Sequence, residues 1–398
     1  MKLRQSLAFV LAIAACAPPP PPARVVAAPV PIQYVPPQMG LNNSGLDTSL
    51  PAALDKIVKT ALDDAVAPGV AIAVGRNGRI AYMKGYGTID WNRPGSPAVD
   101  TNTLYDLASL TKVIATTSLA MRLVEWGQLA LDDPIAELIP DWRGHDREHV
   151  TLRSLLAHSS GLTAYLPFYR DHKGRAEFQH AICSLPLEYT PDTQSIYSDL
   201  GFILLGFIIE DAGVGRFEGQ AVELLRQVTA RHLLFNPPAA FRPVIAPTEH
   251  DPWRGRRLVG EVHDENCWAL GGAAGHAGLF GTADAVGDFA RAMLGVLDGT
   301  DGRLASEPIA REFVTRASAY SSRALGWDTM LPTSSCGGNI SASAFGHTGF
   351  TGTTLWIDPE RAIYVVFLTN RVNPTRENTA ITQIRPAFHD AVFGAIGR

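Results

Sequence analysis

The feature that most constrains this chain is the position of its strand-like segments, which fall near its two ends and leave a long stretch of different character between them. Gly69 to Gly75 and Arg79 to Tyr86 read as strands flanking Asn77-Gly78, a dipeptide suited to the positive φ angles of a two-residue hairpin turn. Strand-like runs resume only at Ala324 to Met330, Ala344 to Phe350, Thr353 to Ile357 and Ala362 to Thr369, the last two joined by Asp358-Pro359-Glu360-Arg361. The region from about 104 to 320 is largely helical by pattern, with Gly- and Pro-rich loops. An antiparallel sheet drawn from both ends, with a mostly helical lobe inserted, is the α/β (α+β) architecture this predicts. Terminal helices should cover the sheet. The first carries Leu50, Leu54, Ile57, Val58, Ala61 and Leu62 at helical spacing behind Ser49 as N-cap, and the last runs from about Glu377 to Ile396. With 398 residues, of which 46% are hydrophobic, the chain can bury a large core in one interwoven unit or two lobes.

The first 46 residues lie outside that scheme. Met1 to Ala15 reads as an export signal, with Lys2 and Arg4 ahead of an apolar run too short to span a bilayer. Ile13-Ala14-Ala15-Cys16 resembles a bacterial lipobox, which implies that Cys16 is lipidated and becomes the mature N-terminus. Pro18 to Pro22 and the prolines at 29, 31, 36 and 37 favour extended polyproline II. At roughly 3.1 Å per residue, the stretch from Cys16 to Asp47 reaches about 96 Å at most. The predicted organisation is a signal peptide over 1–15, a lipid-bearing Pro-rich tether over 16–46 and a folded domain over 47–398. By resemblance to Gram-negative lipoproteins, Ala17 is not an inner-membrane retention signal, so the expected location is the periplasm, on a lipid anchor in the outer membrane.

Charge and cysteine content exclude other classes. The 34 basic and 39 acidic side chains give a net charge of −5 with no long run of one sign, which argues against nucleic acid as a partner. With Cys16 committed to lipid, Cys183, Cys267 and Cys336 are an odd number, allow at most one intramolecular pair and suit no zinc motif.

The candidate chemistry begins at Ser109-Leu110-Thr111-Lys112. Residues three apart share a helix face, so Lys112 should sit one turn below Ser109 with its ammonium near the hydroxyl. A helix from here to Trp126, with Val113, Met121 and Val124 on its buried face and Gly127 as a stop, would put Ser109 in the first turn, where backbone N–H groups are free to meet an oxyanion.

Two further stretches, Tyr197-Ser198-Asp199 and His347-Thr348-Gly349, follow in order. Together with Ser-x-x-Lys they resemble the penicillin-recognising serine hydrolases, nearest the class C β-lactamase-like branch that includes D,D-peptidases and esterases. Leu155 to Leu162, His263 to Asn266, Gly275 to Phe280 and Gly346 to Gly352 support the resemblance, which covers the chain from about residue 50 to its C-terminus. It implies a β-lactamase/transpeptidase-like fold and an acyl-enzyme on Ser109. It also implies proton transfer by Tyr197 with Lys112, substrate contacts from Thr348 and Gly349, and an oxyanion hole from the N–H groups of Ser109 and Phe350. Lys112 is expected to lower the Tyr197 phenol.

There are two departures from the family pattern. Asp199 stands where asparagine is usual, and a carboxylate there should hold Lys112 as the ammonium, leaving Tyr197 as the base. His347 replaces the lysine of many β-lactamases and is mostly neutral at pH 7, so carboxylate capture and penicillin turnover should be weak. It should instead hydrogen-bond Tyr197 or the substrate.

Competing motifs are weaker. Ala157-His158-Ser159-Ser160-Gly161 is one residue from a Gly-x-Ser-x-Gly elbow, but Val150 to Leu156 reads as a helix rather than the strand that elbow requires, so Ser159 is taken as structural. His145 and His149 do not match a zinc-protease motif, and Gly271 to Gly281 lacks the Gly-Lys-Ser ending of a phosphate loop. His263-Asp264-Glu265 is assigned to the cleft edge, and His276 to a position behind the catalytic groups. The expected protein is a cell-envelope serine hydrolase needing no metal or organic cofactor. A D-alanyl-D-alanine carboxypeptidase-like activity on peptidoglycan fragments is the first reading. An esterase or β-lactamase is the alternative, and a non-catalytic penicillin-binding sensor is the alternative of another class.

Overall fold

The structure, a computed structural model, describes residues 40–91 and 94–396; the signal peptide, Cys16 and the proline tether lie outside the described residues. Packed chain begins ahead of residue 47: Leu41–Ser44 form a helical turn, and Leu46 is buried and bridges Ile396.

Six strands form one antiparallel sheet: β1 (Gly69–Arg76), β2 (Arg79–Gly87), β3 (Asp328–Thr329), β4 (Phe345–Thr348), β5 (Thr354–Asp358) and β6 (Ile363–Thr369), in the order β2-β1-β6-β5-β4-β3. The expected hairpin closes through Asn77 and Gly78, both with positive φ. β1 then pairs with β6, Val70 opposite Thr369 through Arg76 opposite Ile363, which joins the two ends of the chain. Alternation sorts the side chains. Val70, Ile72 and Val74 with Val365 and Phe367 face helices α1 (Leu50–Asp63) and α5 (Ile381–Gly394). Ala71 and Ala73 with Tyr364, Val366 and Leu368 face α4 (Ala283–Leu297), the helix behind the sheet. Phe388 on α5 is fully buried, and its truncation to Ala would cost about 3–5 kcal/mol.

Ser49 is the N-cap of α1 as expected, without a side-chain hydrogen bond, and Asp47 accepts from the Ser49 N–H at 2.8 Å. Two expectations are corrected here. The run Ala324 to Met330 contributes only the two residues of β3, because Ala324 and Leu325 turn back into the helical core. The last helix starts at Ile381, since Asn378 and Thr379 make side-chain and backbone bonds that end the preceding loop.

The inserted lobe also holds strands too short to carry a periodic signal. Tyr105–Asp106, Leu279–Gly281 and Leu233–Phe235 form a three-stranded sheet, and His250–Asp251 pairs with Arg256–Arg257. The small sheet carries the approach to Ser109. Helix α3 (Asp199–Ala212) packs against the Gly275-His276 segment through Gly206, where a Cβ would come within 2.8 Å of the Gly275 nitrogen.

Candidate active site

Ser109 does not sit in a regular α-helical turn. It follows Ala108, whose φ is positive, and precedes a π-helical segment over Lys112–Thr117 that continues as α2 (Ser118–Glu125). The wide turn buries every side chain from Lys112 to Thr117, and such π segments concentrate at functional sites. The approach is fixed by the Asp106 carboxylate, which accepts from the N–H groups of Ala108 and His263 at 2.8 and 2.6 Å.

Lys112 Nζ lies 3.1 Å from Ser109 Oγ, 2.9 Å from the His276 carbonyl oxygen and 2.6 Å from Asp199 Oδ1. With the Tyr197 hydroxyl as a further neighbour, the three N–H donors of the ammonium are all satisfied. Burial opposes its charge, but Asp199 and Tyr197 outweigh it and hold the lysine pKa above its ordinary value. The expectation that Asp199 pins Lys112 as an ammonium matches this geometry.

The Tyr197 expectation does not. Burial is the largest influence on the phenol and raises its pKa; Lys112 pulls it down, Asp199 pushes it further up, and the net direction is upward. The hydroxyl is buried, with Lys112 and Ser109 as its hydrogen-bonding neighbours. Its ring stands 5.0 Å from Lys112 Nζ and 5.6 Å, centroid to centroid, from His347.

The loop carrying Tyr197 is held by a residue that sequence reasoning placed in a supporting stretch but gave no role. His158, at positive φ, accepts the Ser198 N–H through Nδ1 at 3.0 Å, and its ring lies 4.6 Å from that of Tyr197. Its carbonyl accepts from Tyr189 Oη and the Ile196 N–H. Burial, then Arg323, Lys112 and His347, keep it neutral by lowering its pKa well below the ordinary value. Its neighbour Ser159 is structural, bonded to Asp192 at 2.5 Å.

On β4, His347 is buried, with Nδ1 2.8 Å from the Thr348 carbonyl oxygen. Burial lowers its pKa well below the ordinary value, helped by Arg323, Lys112 and Arg385, as its expected neutrality requires. Gly349 permits close approach: a Cβ there would meet the Thr353 hydroxyl at 2.0 Å and the Leu107 carbonyl at 2.5 Å. Thr351 and Thr353 hydroxyls donate to the Asp106 and Leu107 carbonyls at 2.7 and 3.0 Å, tying this turn to the Ser109 approach. The N–H groups of Ser109 and Phe350 bond no backbone carbonyl among the described residues. That pair is available to an oxyanion.

These groups line a cavity of about 650 Å³ that also contains Tyr165, His263, Asp264, Glu265 and four arginines absent from the sequence reading. His263 sits at the cleft edge as expected, stacked 5.5 Å from Phe350 and bonded to Glu249 at 2.9 Å. His276 lies behind the catalytic groups, its Nε2 2.8 Å from Asp264. Arg376 is paired with Glu249 and Glu265, Arg371 caps carbonyls including that of Phe350, and Arg385 donates to the Gly349 and Thr353 carbonyls. Arg323 differs. Its guanidinium lies over the Tyr197 ring, 4.9 Å from the centroid, and forms no ion pair among the described residues. The expectation of weak carboxylate capture rested on His347 alone; Arg323, from another segment, also lines the cavity. Cys183, Cys267 and Cys336 are all free and buried.

The beta-lactamase family model matches residues 54–387. The chain belongs to the beta-lactamase family. Among its relatives, an Escherichia coli K12 protein named "Putative D-alanyl-D-alanine carboxypeptidase" is 34% identical over 349 residues, 76% of this chain and 78% of that protein. A Bacillus subtilis 168 protein named N-acetylmuramyl-L-alanine amidase is 30% identical over 347 residues, 76% of this chain and 77% of the relative. A solved class C beta-lactamase superposes with a TM-score of 0.69 at 20% identity, covering 86% of this chain and 97% of that one, which shows the shared fold. As a member of the beta-lactamase family the protein is a serine hydrolase acting by acyl transfer.

Proposed function

We propose that this beta-lactamase family member is an exported cell-envelope peptidase of the D-alanyl-D-alanine carboxypeptidase type, with Ser109 as its nucleophile. The observation that carries this reading is Arg323, a guanidinium without an ion pair among the described residues, over Tyr197 and lining the cavity that holds Ser109, where a peptide's terminal carboxylate has a bidentate partner. The Escherichia coli relative's name points the same way.

In this reading Ser109 Oγ attacks the scissile carbonyl while the oxyanion forms between the Ser109 and Phe350 N–H groups, stabilised by fixed dipoles that need no reorganisation. Lys112 remains an ammonium, donating to Oγ and favouring its developing negative charge. Tyr197 carries the proton onward, and Thr348 and Gly349 form the wall along which the substrate lies. The lipobox-like Cys16 and proline tether support delivery of the domain to the periplasm on a membrane anchor.

The test is release of D-alanine from an Nα-acetylated peptide ending in D-Ala-D-Ala, by the wild type and by Ser109→Ala. Release by the wild type alone supports the reading. Intact peptide, with short-chain esters hydrolysed instead, rejects it in favour of an esterase.

A further inference from the structure

The two N–H groups available to an oxyanion belong to different peptide units, and the carbonyl ends of those units are bonded differently. The unit that carries the Ser109 N–H has the Ala108 carbonyl, which accepts a neutral backbone donor, the Thr111 N–H, at 3.0 Å. The unit that carries the Phe350 N–H has the Gly349 carbonyl, which accepts the Gly352 N–H at 3.1 Å and Arg385 Nη2 at 2.7 Å. The same Nη2 lies 3.1 Å from the Thr353 carbonyl oxygen, which in turn accepts the Gly349 N–H at 2.7 Å. One guanidinium therefore stands behind both ends of the turn that presents Phe350.

Packing alone does not account for a charge at this place. Arg385 is 9% exposed, its Nε has no hydrogen-bond partner and no carboxylate pairs with it among the described residues. Burial, then Arg371, pulls its pKa down to about 10, which leaves it a cation at neutral pH. Burying an unpaired cation is costly, and a neutral donor would hold the turn without that cost. Arg371 is the contrast. It donates to the Phe350 carbonyl at 2.8 Å, which belongs to the following peptide unit, so it braces the turn without touching the unit whose N–H is free.

We infer that Arg385 is a positioning residue for the oxyanion hole, orienting and polarising the Gly349–Phe350 peptide from its carbonyl end. The inference rests on the reading of Ser109 as nucleophile with the Phe350 N–H as an oxyanion donor. A cation on the peptide oxygen draws electron density toward it and makes the N–H of the same unit a stronger donor, as hydrogen bonds in a chain reinforce one another. The contact also fixes which way the unit faces. Gly349 has no side chain to resist rotation of this peptide, and a rotated unit would turn a carbonyl, in place of an N–H, toward the oxyanion.

The experiment compares the wild type, Arg385→Lys and Arg385→Gln with two probes. Phenylboronic acid bonds to a serine oxygen and presents an anionic tetrahedral centre to the hole, so its dissociation constant reads oxyanion stabilisation. An N-acetyl-D-alanyl thioester with an uncharged leaving thiol reads turnover. Neither probe carries a carboxylate, so binding of one by Arg385 does not enter. Arg385→Gln keeps a neutral donor and should weaken the boronate and lower kcat/KM in parallel by about tenfold to a hundredfold, less than the 10²–10³ of a donor removed outright, with KM little changed. Arg385→Lys keeps the charge and should recover part of both. Equal boronate affinity and kcat/KM in the wild type and Arg385→Gln overturn the inference, as does a loss confined to KM with the boronate bound as before. Should Arg385→Gln fail to fold, Arg385→Met is judged by the same two ratios. A wild type that binds the boronate no better than Ser109→Ala overturns instead the Ser109 reading on which the inference rests.

Discussion

Replacing Arg323 by Met is the substitution that most directly probes how the cavity recognises a substrate. The change removes the guanidinium but keeps a flexible apolar stem against Tyr197. No ion-pair partner among the described residues is left behind, so the fold should lose less than about 1 kcal/mol. A hydrogen bond to a charged group contributes about 1.5–3 kcal/mol, which converts to about 10- to 150-fold in kcat/KM. The wild type should therefore prefer a peptide ending in D-Ala-D-Ala over its C-terminal carboxamide by a factor in that range. Arg323→Met should bring the ratio close to one, and Arg323→Lys should retain part of it, because an ammonium keeps the charge and loses the planar fork. The assay is cleavage of both peptides by each enzyme, read by chromatography, with the ratio as the reported quantity. Loss of the stacking contact on Tyr197 affects both substrates and cancels in the ratio. If Arg323→Met slows both peptides equally and leaves the wild-type preference intact, the carboxylate is bound elsewhere and the argument from Arg323 fails.

Other consequences follow from the same geometry. Lys112→Met should lower kcat/KM by about 10²–10⁴, since it removes the group that donates to Ser109 Oγ and steadies Asp199; progress curves with a thioester substrate would show it. His158→Ala should lower kcat about 10²-fold with little change in KM, because the loop that aims Tyr197 loses its Ser198 N–H acceptor and a ring contact, and steady-state kinetics would separate the two constants. His389, buried in α5 with neither ring nitrogen partnered among the described residues, is pushed down to about 3 by burial and by Arg385. Its ordinary value in the unfolded chain is about 6.5, so the unfolded state binds the extra proton and stability falls as pH drops below that value, with the loss complete below about 3. At pH 5 the loss is about 2 kcal/mol. His389→Leu should remove it, so urea denaturation at pH 7.5 and 5 should show the variant gaining on the wild type by that amount.

The parts of this protein legible in its sequence are those set by short-range geometry. Ser109 and Lys112 meet because a single turn, closed by the Lys112 N–H on the Ser109 carbonyl, brings them together, although the π turn that follows left no signature. Asn77-Gly78 announced a hairpin because few other dipeptides accept two positive φ angles, and the end strands were visible from their β-branched runs. Asp199 on Lys112 followed from the chemistry of a carboxylate beside an amine. The rest depends on contacts between distant segments. Arg323, Arg371, Arg376 and Arg385 come from separate stretches with no shared spacing, and only the packing of β3, β6 and α5 around the cavity brings them together. The direction of the Tyr197 shift was misread for a related reason: the neighbouring cation can be inferred from a motif, but the burial that outweighs it cannot. His158 was visible only as part of an imperfect nucleophile elbow. Its positive φ and its bond to Ser198 give that stretch its meaning.

The central claim is that Ser109 forms the acyl-enzyme, and the most direct measurement is the intact mass of the folded domain after incubation with benzylpenicillin, beside Ser109→Ala. The expected result is a persistent penicilloyl adduct on the wild type and none on the variant, because the oxyanion hole accepts the β-lactam carbonyl while weak deacylation leaves the ester in place. An adduct of the same mass and extent on Ser109→Ala would contradict the claim, since the nucleophile would then lie elsewhere in the chain.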